Sequence, residues 1–134
     1  MKIYNYLFYK GHQLATRSGN FDDMPVLGAI TFVVPCVILN IFTVALMLEG
    51  IQVMDFTFDK TYKYTFTLLV VLTVLFYYMQ GNRHEKVIKK YEAYERKTQI
   101  GLHPLLVFLL YYSITFAILL LAGFFKNGDW IFSN

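Results

Sequence analysis

Charge is scarce in this 134-residue sequence: Asp, Glu, Lys and Arg make up 16% of it, where a soluble domain carries about 25%. The shortage is uneven, with long uncharged stretches between short charged ones, which is the pattern of a membrane protein rather than of a greasy soluble core. Cysteine is nearly absent. The single Cys36 sits in an apolar run, so an internal disulfide framework and a cysteine-rich metal site are both excluded. The three histidines, His12, His84 and His103, fall in separate segments, and His84-Glu85 has no second histidine at zincin spacing; no metal site is expected. There is no Gly-rich phosphate loop, no G-x-S-x-G and no paired acids inside an apolar run. An enzyme is therefore not expected, and neither a cofactor nor a small-molecule substrate is implied. The opening residues are too polar for a secretory h-region and lack a small-residue cleavage site, so the apolar segments are expected to act as uncleaved anchors.

What is present is apolar and aromatic. Hydrophobic residues reach 57% and aromatics 19%, and the mean hydropathy is +0.46. Three stretches approach the roughly 20 residues that cross a hydrocarbon core: 25–48, 62–80 and 104–125. Asp22 and Asp23 precede Pro25, as suits a helix N-terminus. Tyr62, Tyr64, Tyr77 and Tyr78, and Trp130 beyond the third stretch, fit interfacial aromatic belts. The expected fold is an all-α membrane protein, a single membrane domain over 1–134 with three transmembrane helices.

Lys and Arg set the expected orientation. The N-terminal segment holds Lys2, Lys10 and Arg17, and the second connection holds Arg83, Lys86, Lys89, Lys90, Arg96 and Lys97, which makes nine; the other side has only Lys60, Lys63 and Lys126. Nine against three puts the N-terminus and the second connection in the cytoplasm and the C-terminus outside. Residues 2–17, with Ile3, Leu7 and Leu14 among tyrosines, read as an interfacial amphipathic helix, weakened by Gly11 and followed by a turn at Ser18-Gly19-Asn20. Residues 51–61 read as an interfacial loop or a short hairpin.

The second span is expected to continue as a cytoplasmic helix over 83–98, ending near Gly101. Glu85–Lys89 and Glu92–Arg96 are i,i+4 pairs with the acid first. Arg83, Lys86, Lys90 and Lys97 fall within a sector roughly 60° wide, beside an apolar strip of Val87, Tyr91 and Tyr94. Two readings follow: a stripe that enforces topology and touches anionic lipid headgroups, or a docking surface for a polyanion such as nucleic acid or nucleotide, or for an acidic protein.

No ionisable residue lies clearly inside a span, which argues against proton relays, pumps and voltage sensors. Uncharged polar residues form stripes instead: Gly28, Cys36, Asn40 and Thr43 in the first span, Thr65, Thr73 and Gln80 in the second, Tyr111 with Thr115 in the third. Such stripes glue helices together or, in a ring of subunits, line a narrow pore. Asn40, Thr43, Cys36 and Gly28 are the pore-lining candidates. Glu49 and Asp55 are candidates for its outer mouth.

The order of features resembles that of small bacterial three-span inner-membrane proteins, on the Tyr-rich start Tyr4-Asn5-Tyr6-Leu7-Phe8-Tyr9-Lys10, the step Asn40-Ile41-Phe42 and the basic run 86–97. It also looks similar to the membrane effectors of Hailong-type anti-phage defence. That resemblance implies a homo-oligomeric ion channel whose basic cytoplasmic surface receives a nucleic-acid or nucleotide ligand from a partner nucleotidyltransferase. The alternative expectation is a non-conducting accessory or scaffold protein that docks a partner.

Overall fold

The computed structural model describes residues 2–19, 21, 23–53 and 60–128, and every regular element among them is helical. Five helices follow in order: α1 (Lys2–Ser18), α2 (Pro25–Gly50), α3 (Lys60–Met79), α4 (Arg83–Thr98) and α5 (Pro104–Asn127), with a short 3-10 turn at Gln80–Asn82 between α3 and α4. Three helical stretches are long and apolar enough to cross a membrane: α2, the stretch from Tyr62 through α4, and α5. In the middle stretch the apolar part is α3, because α4 carries nine charged side chains. Asp22, Asp55, Asp59, Trp130 and most of the 51–61 connection lie outside the described residues.

Helix ends follow local chemistry. Proline opens both α2 and α5, where its missing N–H is no loss. Met24 stands at the cap position of α2 without a side-chain cap, and its carbonyl accepts from Leu27 and Gly28 N–H. Asp23 is exposed. After α1, Gly19 takes φ 67°, the left-handed residue that commonly ends a helix. α4 stops at Thr98, short of Gly101, because Gln99 adopts φ 54° and donates its N–H to the Glu95 carbonyl at 2.9 Å.

α2 is the central element, packed against α1 and α5 and less closely against α3, while α3 and α5 have no substantial contact with each other. The core gathers Leu7 and Phe8 of α1, Ala29, Ile30, Val33, Val34 and Cys36 of α2, Val70, Val74 and Tyr78 of α3, and Val107 and Phe108 of α5. Phe8 stacks on Tyr78 with ring centroids 4.0 Å apart. α1 is therefore a core element. Its buried face runs through Leu7, Phe8, Tyr9, Lys10, Gly11 and Ala15, whereas Ile3 of the expected apolar stripe is 65% exposed. Gly11, which looks like a weakness in the sequence, lets the helices cross closely: a Cβ there would come within 3.2 Å of the Ala29 backbone.

The continuous extension expected from the second span into the basic helix is broken. Gly81 (φ 60°, ψ 33°) and Asn82 (φ 54°, ψ 36°) are both left-handed. Gly makes this conformation at little cost and Asn is among the few other residues that tolerate it. The break turns α4 so that its Val87, Ile88, Tyr91 and Glu95 are partly covered and it packs against α1.

Candidate functional site

The polar stripe of α2 faces into the subunit. Asn40 Nδ2 donates to the Tyr4 hydroxyl at 2.5 Å and the Tyr111 hydroxyl at 2.6 Å, so one amide joins α1, α2 and α5. Cys36 is fully buried and its thiol lies 3.4 Å from the Phe32 carbonyl. Thr43 is buried and its hydroxyl returns to the Leu39 carbonyl at 2.9 Å. Gly28 sits where a Cβ would lie 2.6 Å from Ala15 Cβ. Within one chain these four residues are turned toward its own helices, which weighs against their reading as a pore lining. Asn40 alone borders open space, a cleft of about 670 Å³ between α2 and α3 that is otherwise almost wholly apolar.

The stripe on α3 is exposed instead, with Thr65 on the same cleft that Asn40 borders. Thr65, Thr73 and Gln80 are exposed, and Thr73 satisfies its hydroxyl on the Leu69 carbonyl at 2.8 Å. Around them Leu68, Leu69, Leu72 and Phe76 are 55–66% exposed. In α2 33% of the apolar stretch is buried, but only 17% in the stretch containing α3 and in α5. Lipid or further protein must cover the remainder.

At the C-terminal end of α2 Glu49 is paired with Lys126 at 2.7 Å, a link from α2 to α5. Its charge is thereby neutralised locally, which weakens its candidacy for a cation-attracting mouth. Asp55 lies outside the described residues.

On α4 the six basic residues divide. Lys89 and Arg96 pair with Glu85 (3.8 Å) and Glu92 (2.8 Å) one turn earlier. Arg83, Lys86, Lys90 and Lys97 are exposed and make no ion pair among the described residues. Arg83 instead lies over the Tyr77 ring, 4.6 Å from its centroid, a cation–π contact that leaves the charge available. Tyr94, expected in the packed apolar strip, is 61% exposed at the border of these cations, while Tyr91 packs on Tyr6 and Tyr9 and donates its hydroxyl to the Lys2 carbonyl at 3.0 Å.

The feature that sequence reasoning missed lies on the opposite side of α4. Lys10 is 1% exposed, although it counts in the sequence as one of the topology-setting charges. Its ammonium lies 2.5 Å from Glu95 Oε1 and donates to the Leu102 carbonyl at 2.6 Å and to Gln13 Oε1 at 3.2 Å. Glu95 Oε2 accepts from the Tyr9 hydroxyl at 3.0 Å and from Gln13 Nε2 at 3.4 Å. Burial by itself pushes the Glu95 carboxyl up, but the Lys10 ammonium, the Tyr9 hydroxyl and the Gln13 amide outweigh it and hold the group below its ordinary value. No three His, Cys, Asp or Glu side chains converge as a metal site among the described residues.

The fold and these contacts define an all-helical protein with three helices apolar enough to cross a membrane and a polar junction at one end of the bundle. Compared with family models, with curated proteins and with solved structures, the chain matches none.

Proposed function

We propose that this protein is a homo-oligomeric channel or pore-forming effector of the bacterial inner membrane, with its N-terminus and α4 in the cytoplasm, controlled by a polyanion bound on α4. The observation that carries this reading is a direct connection. The helix with four unpaired, exposed cations, Arg83, Lys86, Lys90 and Lys97, follows α3 through a three-residue turn, and α3 is one of the least covered spans. Polyanion contact on α4 would thus pull on the span with most freedom to rearrange between copies. In an assembly the exposed Thr65, Thr73 and Gln80 stripe replaces Asn40 and Thr43 as the side facing a conduction path. α1, with Lys2 and Arg17 exposed, would lie at the inner face, its outer side toward lipid headgroups. A place in anti-phage defence, with a nucleotidyltransferase supplying a nucleic-acid or nucleotide ligand, rests on the Hailong-type resemblance.

The test begins with the mass of the detergent-solubilised protein by light scattering, detergent subtracted. A defined oligomer leads to bilayer recording of the wild type and Thr73→Leu with and without a single-stranded oligonucleotide. Oligonucleotide-dependent current that Thr73→Leu alters supports the reading, and a monomer removes it. The inward packing of the Asn40 stripe favours a second reading, a non-conducting scaffold subunit. In that case the protein is silent in bilayers and purifies with a partner in fixed stoichiometry.

A further inference from the structure

The geometry points to a clasp: Lys10 and Glu95 hold α4, a helix hinged at both ends, against α1, and opening this pair would free the basic helix from the bundle. The inference concerns where α4 sits and stands whatever α4 binds.

Three observations carry it. First, α4 is bounded by left-handed residues on both sides, Gly81 and Asn82 before it and Gln99 after it. No neighbouring atom lies within 4 Å of where a Cβ on Gly81 would stand, and among the described residues the side-chain contacts that bridge the turn are two, Arg83 over the Tyr77 ring and the His84 ring against the Tyr78 carbonyl at 3.2 Å. Secondly, α4 buries no residue fully. Its hold on the bundle is partial apolar cover by Val87 and Ile88, the Tyr6–Tyr91 and Tyr9–Tyr91 ring contacts, and hydrogen bonds from its side chains and to them. Thirdly, the one charge pair across this interface is the most buried in the described chain, with Lys10 at 1% and Glu95 at 15% exposure, against 49–80% for the two pairs within α4.

The same ammonium also takes the Leu102 carbonyl in the segment leading to α5. Lys10 therefore ties both α4 and its exit to α1. A buried pair of this kind adds little over apolar packing when intact, but removing one partner leaves the other charge largely buried and uncompensated. That asymmetry suits a device with a docked and an undocked state, because either state is acceptable only if both charges are together or both are solvated.

The experiment is hydrogen exchange by mass spectrometry on the full-length protein in detergent, comparing the wild type with Lys10→Met and Glu95→Gln. Glu95→Gln keeps the shape of the side chain and its acceptor oxygen for Tyr9, so it guards against loss of the fold in Lys10→Met. The expected result is at least tenfold faster exchange of backbone amides in 83–98 in both variants, with 25–50 and 104–127 unchanged. Unchanged exchange in 83–98 overturns the clasp. So does faster exchange that spreads equally into α2 and α5, since the pair would then support the bundle as a whole. Neither outcome depends on oligomerisation, current or polyanion binding, so this inference and the channel reading fail separately.

Discussion

Replacing Asn40 by Leu separates packing from conduction. The side chain donates to Tyr4 and Tyr111 at 2.5 and 2.6 Å, and Leu, of similar size, removes both bonds while stranding two hydroxyls in an apolar setting. Side-chain hydrogen bonds between membrane helices average about 0.6 kcal/mol and reach about 1.7, so the two together give roughly 1–3 kcal/mol. The larger figure applies if neither tyrosine finds another acceptor. The assay is reversible unfolding in mixed micelles titrated with SDS, followed by tyrosine fluorescence, with Tyr111→Phe and the double variant completing a cycle. Asn40→Leu should lose roughly 1–3 kcal/mol, and the double variant should lose less than the sum of the singles, because the two residues share a bond. If Asn40→Leu left stability unchanged but altered conductance in an assembled pore, the assignment of Asn40 to internal packing would be refuted.

Three further outcomes follow from the same geometry. Gly28→Ala would bring a Cβ within 2.6 Å of Ala15 Cβ and 2.9 Å of Phe21 Cγ, costing about 1–3 kcal/mol by overpacking; adding Ala15→Gly should recover part of the loss in the same unfolding assay. The triple variant Lys86→Gln, Lys90→Gln, Lys97→Gln should weaken binding of a single-stranded oligonucleotide and flatten its salt dependence, from a log–log slope of about −3 toward about −1, since each phosphate contact contributes about −0.7; an unchanged slope would exclude that face. Because the Glu95 carboxyl is held below its ordinary value of 4.5, the stability it adds is complete above that pH and is lost as pH falls through the folded-state value. Acid exchange experiments should show α4 losing protection below about pH 4.5 in the wild type, with a flatter profile in Glu95→Gln.

The legible parts of this molecule are those set by local chemistry. Spans announce themselves by the lack of charge over the length of a bilayer core, and Pro25 and Pro104 open their helices as proline should. The i,i+4 pairs of α4 and the four leftover cations also follow from helical spacing alone. The turn at Gly81–Asn82 had a signal, a Gly-Asn step, but good helix formers on both sides masked it. Contacts between distant segments left no such trace. Lys10 reads as a cytoplasmic charge until Glu95 is folded onto it, and Gly11 reads as a helix weakness until Ala29 lies against it.

The polar stripes carry the wider lesson. In both α2 and α3, polar residues recur along one side, and periodicity cannot say whether that side meets the same chain, another copy or a path for ions. The deciding quantity is whether the side chain is buried inside the subunit or left at its surface. On α2 the Asn40 amide is committed to two tyrosines of the same subunit and Thr43 is buried. On α3 Thr65, Thr73 and Gln80 stay at the surface beside large exposed apolar side chains, in a span that the monomer leaves mostly uncovered. A hydroxyl that returns to its own backbone, as Thr73 does, loses little in lipid, so lipid alone is an adequate neighbour for it. Gln80 is different: its amide carries two donors and an acceptor, and it stands at the end of α3 next to the hinge of α4. A second copy, the headgroup region or water must satisfy it, and each would couple the state of the hinge to what surrounds the span.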